Sequence, residues 1–294
     1  MNFNMFSIVV GNSACICKCP FCVSCENYNT KDDFRHFNER NFKIALSLAT
    51  KYSGPTACIT SYGEPLLFPD EITRTLLLID KQIPFVELQT NGLLFDIEKE
   101  KYKEYLKKWY GYGLTHIAIS TVHYDRKMNE SIYCNKSEIT KNYQYPDLKK
   151  MVEYLHSFGF SVRLVCICFD KFIDSAQKVV DYVEFAKKCK AEQVTIRPLN
   201  LEYRRNDAKT FTHKNKLGDE NIKKIKEYFN NNFDKLLILP NIGEVYDVKG
   251  QNCMLSFPLN KDTRSMDIEN TRNLIYFSDG HIRYEWEKTG GILL

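Results

Sequence analysis

Six β-rich runs alternate with helical stretches through the first 200 residues, and this order restricts the possible folds more than any other feature. The runs are rich in Val, Ile, Thr and Phe, as is typical of buried strands. They are Phe6–Val10, Thr56–Thr60, Phe85–Gln89, His116–Ser120, Ser161–Cys168 and Gln193–Arg197. The predicted helices between them are Asn38–Tyr52, Asp70–Lys81, Glu98–Tyr112, Asp147–Phe158 and Ser175–Lys190. Repeated β–α units predict an α/β fold with a parallel sheet that is either open or curled into part of a barrel.

The last third of the chain follows a different pattern. The stretch Tyr203–Lys216 carries five Lys or Arg residues and one Asp, which is typical of a solvated connecting loop. A helix is predicted over Asp219–Phe233, followed by a short strand over Leu236–Leu239. Two β-rich arms within Asn273–Trp286 flank Asp279-Gly280, a pair that favours a tight hairpin turn.

These patterns divide the chain into two expected parts, one over residues 1–205 and a small C-terminal extension with a β-hairpin over residues 206–294.

The composition, 44% hydrophobic and 27% charged, is that of an ordinary globular protein. No apolar run approaches the length of about 18 residues that a membrane span needs. The N-terminus lacks the pattern of a secretory signal, so we expect a cytoplasmic protein. The net charge of +4 is too small to favour nucleic acid as a partner.

Five of the eleven cysteines lie in one short segment, at positions Cys15, Cys17, Cys19, Cys22 and Cys25. In a reducing compartment, clustered cysteines indicate metal or redox chemistry rather than disulfides. The spacing Cys15-x3-Cys19-x2-Cys22 supplies three thiolates, which can hold a cubane iron–sulfur cluster and leave one iron open. A zinc knuckle that uses Cys19, Cys22 and Cys25 is the alternative. Because the segment follows the first predicted strand, it lies at the edge of the sheet where α/β folds place their active sites.

Three motifs along the chain occur in the order of a known family. The segment Cys15-Ile16-Cys17-Lys18-Cys19-Pro20-Phe21-Cys22 resembles the CxxxCxΦC loop of radical S-adenosylmethionine (SAM) enzymes. Ser61–Leu67, which reads SYGEPLL, is similar to the GGEP motif of that family, with Tyr62 in place of the first glycine. Gln89–Gly92 is similar to its TNG turn. The resemblance covers about residues 5–200 and implies a partial (β/α)6, TIM-like barrel.

The resemblance implies a role for the cysteine loop. Cys15, Cys19 and Cys22 would ligate three irons of one [4Fe–4S] cluster, and the fourth iron would bind the amino and carboxylate groups of SAM. Cys17 and Cys25 fall outside the spacing and are interpreted as bystanders. Phe21 would pack near the adenine, a role compatible with simply anchoring the loop.

The resemblance also implies five further SAM ligands. Gly63 and Glu64 would hold the methionine ammonium, unless they form only a strand-to-helix turn. Asn91 and Ser120 would face the ribose. Arg163 would bind the SAM carboxylate, because a guanidinium matches a carboxylate with two parallel hydrogen bonds. Its alternative role is an ion pair with a nearby acid.

The implied activity is that of a radical SAM enzyme. An electron from reduced flavodoxin or ferredoxin would cleave SAM to a 5′-deoxyadenosyl radical, which abstracts hydrogen from the substrate. The layout is most similar to the branch with the molybdenum-cofactor cyclase and the peptide-modifying maturases, so both a peptide and a nucleotide remain open as substrates. His123 follows the fourth predicted strand and Arg197 ends the sixth, so both lie at the same edge of the sheet, where they could contact the substrate.

A single cluster is expected, because the second arm of the hairpin, His281–Trp286, contains no cysteine. Relatives with further clusters carry six or seven more cysteines in their C-terminal extensions. Two other functions remain open: a zinc- or cluster-bearing binding module without catalysis, and an activating enzyme for a glycyl-radical protein.

Overall fold

The computed structural model describes residues 2–22, 37–52, 56–134, 138–199, 206–239, 242–256, 270–284, 286 and 291–294. Cys25, the expected domain boundary at residue 205, the beginning of the basic stretch at 203–205 and residue 285 of the hairpin lie outside this description.

Six parallel strands occupy the centre of the sheet and follow one another in chain order. They are β1 (Asn2–Val9), β2 (Thr56–Thr60), β3 (Phe85–Thr90), β4 (His116–Thr121), β5 (Ser161–Cys168) and β6 (Gln193–Pro198). The six predicted runs are therefore confirmed as strands of one parallel sheet. Within the described residues the two outermost strands of the sheet do not pair with each other, so the barrel is open.

Helices connect these strands. They are α1 (Glu39–Tyr52), α2 (Pro69–Ile79), α3 (Leu93–Ile97), α4 (Lys99–Gly111), α5 (Arg126–Tyr133), α6 (Leu148–His156) and α7 (Ala176–Lys188). Three of these helices, α5, α6 and α7, have a side-chain N-cap. The capping residues Asp125, Asp147 and Ser175 each accept a hydrogen bond from a backbone N–H of the first turn. The sequence predicted one helix in each of the β3–β4 and β4–β5 connections, whereas the structure has two in each.

The two faces of the sheet differ in character. One face packs against helices, as shown by Phe6 of β1 against Phe42 of α1, with ring centroids 6.1 Å apart. We call the opposite face the inner face. Strand alternation and register place Glu87, Ser120 and Arg163 there. The inner face is therefore partly polar, as expected for a surface that lines a binding cavity.

The C-terminal extension joins the sheet at both of its edges. The strands are β7 (Asp234–Leu239), β8 (Gly243–Asp247), β9 (Asn252–Ser256), β10 (Asn270–Tyr276) and β11 (Ile282–Arg283). The full order is β11-β10-β1-β2-β3-β4-β5-β6-β9-β8-β7, with β9 parallel to β6 and β10 parallel to β1. The predicted hairpin around Asp279-Gly280 is present as β10 and β11.

Two helices precede these strands, α8 (Asn206–Asn215) and α9 (Asp219–Asn232). The helix predicted over Asp219–Phe233 is confirmed. The prediction of a loop over the basic stretch is wrong for its described part, because α8 packs Phe211 against other aromatic rings at the end of β5. Among the described helices, none has the length and apolar character that crossing a membrane requires.

Replacing Tyr276 by Phe tests how firmly the hairpin is attached to α1. The Tyr276 hydroxyl accepts from the Asn38 N–H at 2.9 Å and donates to the Asn38 carbonyl at 3.1 Å. We expect Tyr276→Phe to lower the free energy of unfolding by about 1 kcal/mol, measured by urea denaturation. Tyr284→Phe removes a hydroxyl of the same hairpin that bonds no described residue, and it is the control. Equal losses in the two variants would contradict this account.

Candidate active site

The cysteine loop follows β1 and lies at the carboxyl edge of the sheet. Its first residue, Gly11, has a φ of +66° and donates its N–H to the Glu71 carboxylate at 2.7 Å. Further along, the Cys22 N–H donates to the Cys19 carbonyl at 3.2 Å and closes a tight turn. Cys15 is exposed, while Cys19 and Cys22 are half-buried. The three predicted ligands therefore share one short loop within reach of solvent.

Cys17, which the spacing leaves without a role, is buried, unlike the other cysteines of the loop that the structure describes. Its thiol lies against the Cys15 and Cys19 side chains, and these contacts and its burial raise its pKa. The pKa of Cys15 is lowered, chiefly by the hydrogen bond from the Cys17 side chain. Cys17 also accepts a hydrogen bond from the Asn91 side-chain amide at 3.4 Å. It therefore fixes the loop to the turn after β3.

The chemistry of this donor set suits an iron–sulfur cluster. Thiolates are soft ligands that favour iron–sulfur clusters, zinc or Cu(I) over hard cations. Within the described ranges no three His, Cys, Asp or Glu side chains are gathered closely enough to hold a metal ion. The side chains of the loop cysteines would consequently have to turn towards a cluster as it binds. The exposed position of Cys15 leaves its side chain free space for this movement.

The turn after β2 touches the cysteine loop backbone to backbone. The Glu64 N–H donates to the Ala14 carbonyl at 2.9 Å. A Cβ atom added to Gly63 would lie 1.9 Å from the same carbonyl oxygen, so no larger residue fits there. The Ser61 hydroxyl donates to the Asn12 carbonyl at 3.0 Å. Gly63 therefore allows the close approach of two loops in this structure.

Glu64 is the most buried acidic group of the site, with 2% of its surface exposed. One carboxylate oxygen accepts from the Leu66 N–H at 3.0 Å and the Thr90 hydroxyl at 2.5 Å, and the other accepts from the Asn91 N–H at 3.0 Å. Burial raises the pKa of Glu64 to about 7, although these three hydrogen bonds act in the opposite direction. A carboxylate has about four acceptor positions, so about one remains for a further donor such as an ammonium group.

Asn91 and Gly92 form the turn after β3. The Asn91 side-chain carbonyl accepts from the Leu93 N–H at 3.0 Å, while its amide nitrogen faces Cys17. Both ends of the amide are thus engaged within the protein, and a role for Asn91 at a ribose stays a prediction. Gly92 has a φ of +78°, in the left-handed region that favours glycine, and it begins α3.

Ser120 and Arg163 both lie on the inner face, but at different positions along the strand direction, with Ser120 closer to the carboxyl edge of the sheet. Ser120 is half-buried near the carboxyl end of β4, and its hydroxyl bonds no described residue. Arg163 pairs with Ala118 in the sheet register, two residues before Ser120, and its guanidinium forms an ion pair with Glu87. The structure shows the ion pair given above as the alternative role of Arg163. Its contact with a SAM carboxylate stays a prediction.

Phe21 is buried in an aromatic cluster at the far side of the cysteine loop. Its ring centroid lies 5.5 Å from that of Phe169, just after β5, and 6.0 Å from that of Phe211 on α8. The cluster anchors the loop across the mouth of the barrel. No local sequence pattern marks Phe169 or Phe211, because only their positions in the fold bring them to Phe21.

The family model of the Radical SAM superfamily matches residues 10–186, which is more than half of the chain. The chain belongs to the radical SAM superfamily. Its members are enzymes, so the expected enzyme class is confirmed, with the reaction unspecified. Membership of this superfamily implies SAM and an iron–sulfur cluster as cofactors. Among curated proteins, no match to the sequence was found.

Solved structures of radical SAM proteins share the fold. SuiB of Streptococcus suis, bound to the precursor peptide SuiA, is 15% identical, with a TM-score of 0.58 over 97% of this chain and 60% of SuiB. The protein anSMEcpe with bound AdoMet is 12% identical, with a TM-score of 0.55 over 97% of this chain and 75% of that protein. HydG, a maturase of the [FeFe]-hydrogenase, is 14% identical, with a TM-score of 0.52 over 76% of this chain and 48% of HydG. The chain thus spans about 60% of the length of SuiB. The predicted α/β class with a partial barrel is confirmed.

Replacing Gly63 by Ala in this radical SAM protein should displace the cysteine loop, because the added Cβ would meet the Ala14 carbonyl oxygen at 1.9 Å. We expect Gly63→Ala to lower the free energy of unfolding by about 2 kcal/mol and to reduce the iron retained after reconstitution. Gly111→Ala is the matched control, since a Cβ there meets no atom within 4 Å. Full iron content in Gly63→Ala would show that the loop and the turn are not coupled.

The stability of the metal-free protein should depend on the protonation of Glu64. Its folded pKa of about 7 lies above the ordinary value of 4.5, so between these pH values the folded protein keeps a proton that the unfolded chain has released. The free energy of unfolding should therefore fall as the pH rises through this range, by up to about 3 kcal/mol from this group. Glu64→Gln should flatten that part of the profile, and Glu100→Gln, at an exposed position, should not. A wild-type slope retained in Glu64→Gln would refute the assignment.

Proposed function

We propose that this chain reductively cleaves SAM at a single [4Fe–4S] cluster and acts on a peptide. Cys15, Cys19 and Cys22 would hold the cluster. The observation that carries the proposal is the contact of this loop with the Gly63-Glu64 turn, because it joins the loop that bears the three thiols to Glu64, the most buried acidic group of the site. With an electron from flavodoxin or ferredoxin, the cluster and SAM together would supply a 5′-deoxyadenosyl radical for hydrogen abstraction.

The protein's own residues would bind and orient SAM. Glu64 has an acceptor position left for the methionine ammonium, and burial strengthens that charge pairing by excluding water. Ser120 offers a hydroxyl at the carboxyl end of β4, on the inner face. Phe21 fixes the loop from the opposite side, and Asn91 holds both the loop and Glu64. Together these contacts would place SAM between the cysteine loop and the inner face of the sheet.

A single cluster is supported by the positions of the other cysteines. Each described cysteine beyond the loop is buried in the body of the protein, namely Cys58, Cys134, Cys166, Cys168, Cys189 and Cys253. Buried cysteines of this kind commonly serve as small apolar core residues. Burial raises the pKa of Cys134 and of Cys189 to about 11, which keeps them as thiols rather than metal-binding thiolates.

A peptide is the favoured substrate, because SuiB, whose fold matches nearly the whole of this chain, was captured with a precursor peptide. A nucleotide remains the second possible outcome of a substrate search.

The cluster and the chemistry are tested together by reconstituting the protein with iron and sulfide without oxygen. We expect about four irons per chain, as one cubane cluster requires, and 5′-deoxyadenosine after addition of SAM and dithionite. Cys19→Ala should lose both the iron and the nucleoside. Cys189→Ala, at a buried cysteine remote from the loop, should keep both. A zinc-bound protein without 5′-deoxyadenosine would instead identify a binding module, and about eight irons would disprove the single cluster.

A further inference from the structure

Tyr62 stands where the family motif has a glycine, and the structure gives its ring a partner. The residue is buried, with only 8% of its surface exposed. It belongs to a small apolar cluster, separate from the main core, that also contains Val9, Ile275 and Phe277, with Trp286 packed against it. Ile275 and Phe277 come from the C-terminal hairpin, so this cluster joins the turn after β2 to the end of the chain's last long strand.

The aromatic rings of this cluster contact one another in a tilted and an edge-on arrangement. The Tyr62 and Phe277 ring centroids lie 5.9 Å apart at 32°, and those of Phe277 and Trp286 lie 5.7 Å apart at 68°. The Arg283 guanidinium lies 4.5 Å from the centroid of the Phe277 ring, and it also pairs with the Asp279 carboxylate at 2.5 Å. Phe277 is therefore held between Tyr62, Trp286 and a cation, and only 1% of its surface is exposed.

The hairpin that carries Phe277 is fixed independently of Tyr62. Strand β10 pairs with β1 from Asn2 to Ile8. The Phe277 N–H donates to the His281 carbonyl at 2.9 Å, and the Asn41 side chain of α1 donates to the Gly280 carbonyl at 2.8 Å. Phe277 thus presents a rigid surface against which Tyr62 rests.

On its other side, Tyr62 directly precedes the two residues proposed to hold the methionine ammonium. Gly63 packs against Ala14 of the cysteine loop, and Glu64 is bonded to the same residue. A shift of Tyr62 would therefore move the Gly63-Glu64 turn relative to the cysteine loop. A glycine at position 62 would have no side chain with which to restrain the turn.

We propose that Phe277 is a positioning residue for SAM, which fixes the Gly63-Glu64 turn through the ring of Tyr62. The C-terminal hairpin thereby contributes to SAM binding without any cysteine of its own in the described residues. This inference rests on the proposed function, since it concerns the same SAM site.

The test uses the full chain with its cluster reconstituted, and it measures the Kd for SAM and the SAM-induced change in the EPR spectrum of the reduced cluster. We expect Phe277→Ala to weaken SAM binding about tenfold, the upper range for loss of an aromatic pair. Tyr62→Gly should weaken it similarly, and Tyr62→Phe, which keeps the ring, should rescue both readouts. The double variant should bind no more weakly than the weaker single variant, because both remove one contact.

Phe229→Ala is the matched control, because Phe229 is a fully buried aromatic residue of α9 whose ring centroid lies 5.4 Å from that of Tyr246. It should lower stability and leave the SAM Kd unchanged. If Phe277→Ala does not fold, Phe277→Leu removes the ring and keeps most of the volume. Unchanged or tighter SAM binding in Tyr62→Gly, which restores the family motif, would overturn the inference alone. Absence of SAM binding by the wild type would overturn the proposed function as well.

Discussion

The whole candidate site depends on one buried carboxylate. Glu64 accepts hydrogen bonds from the 3₁₀ turn that follows it and from the turn after β3, so it ties together two loops that come from neighbouring strands. Burying a carboxylate is unfavourable unless its hydrogen bonds are satisfied, and here three donors satisfy it. The two loops in turn hold the cysteine loop, one through Gly63 against Ala14 and the other through Asn91 against Cys17. Removal of the carboxylate would leave three loops without a common attachment.

The central sheet could be predicted from sequence because its signal is local. Each strand is a short apolar run, and consecutive parallel strands place their carboxyl ends along one edge. For this reason the order of the strands and motifs is enough to predict that the turns at Gly63 and Asn91 lie beside the cysteine loop. Short helices such as α5 were missed, because α5 depends on Asn129, a fully buried polar side chain that bonds the turn before it, rather than on a long apolar stripe.

The features that could not be predicted from the sequence are those that depend on contacts between segments far apart along the chain. The basic stretch forms α8, in which Phe211 packs against Phe21 and Phe169, two residues that lie far away along the chain. The Glu87–Arg163 ion pair joins strands β3 and β5 across β4, and neither residue carries a local signal for the other. The hairpin was predicted, but the pairing of β10 with β1 was not, since strand periodicity does not identify a partner strand.

The pairing of β10 with β1 also has a consequence for biosynthesis. As the chain is synthesised, β1 obtains one of its two neighbours, β2, within about the next 50 residues, but the other, β10, only after residue 276 has emerged. Because nascent chains fold as they are made and contacts distant in sequence form slowly, one edge of β1 should stay open while the residues between β2 and β10 are translated. During that interval, the segment that precedes the cysteine loop would be exposed to chaperones and to strands of other chains.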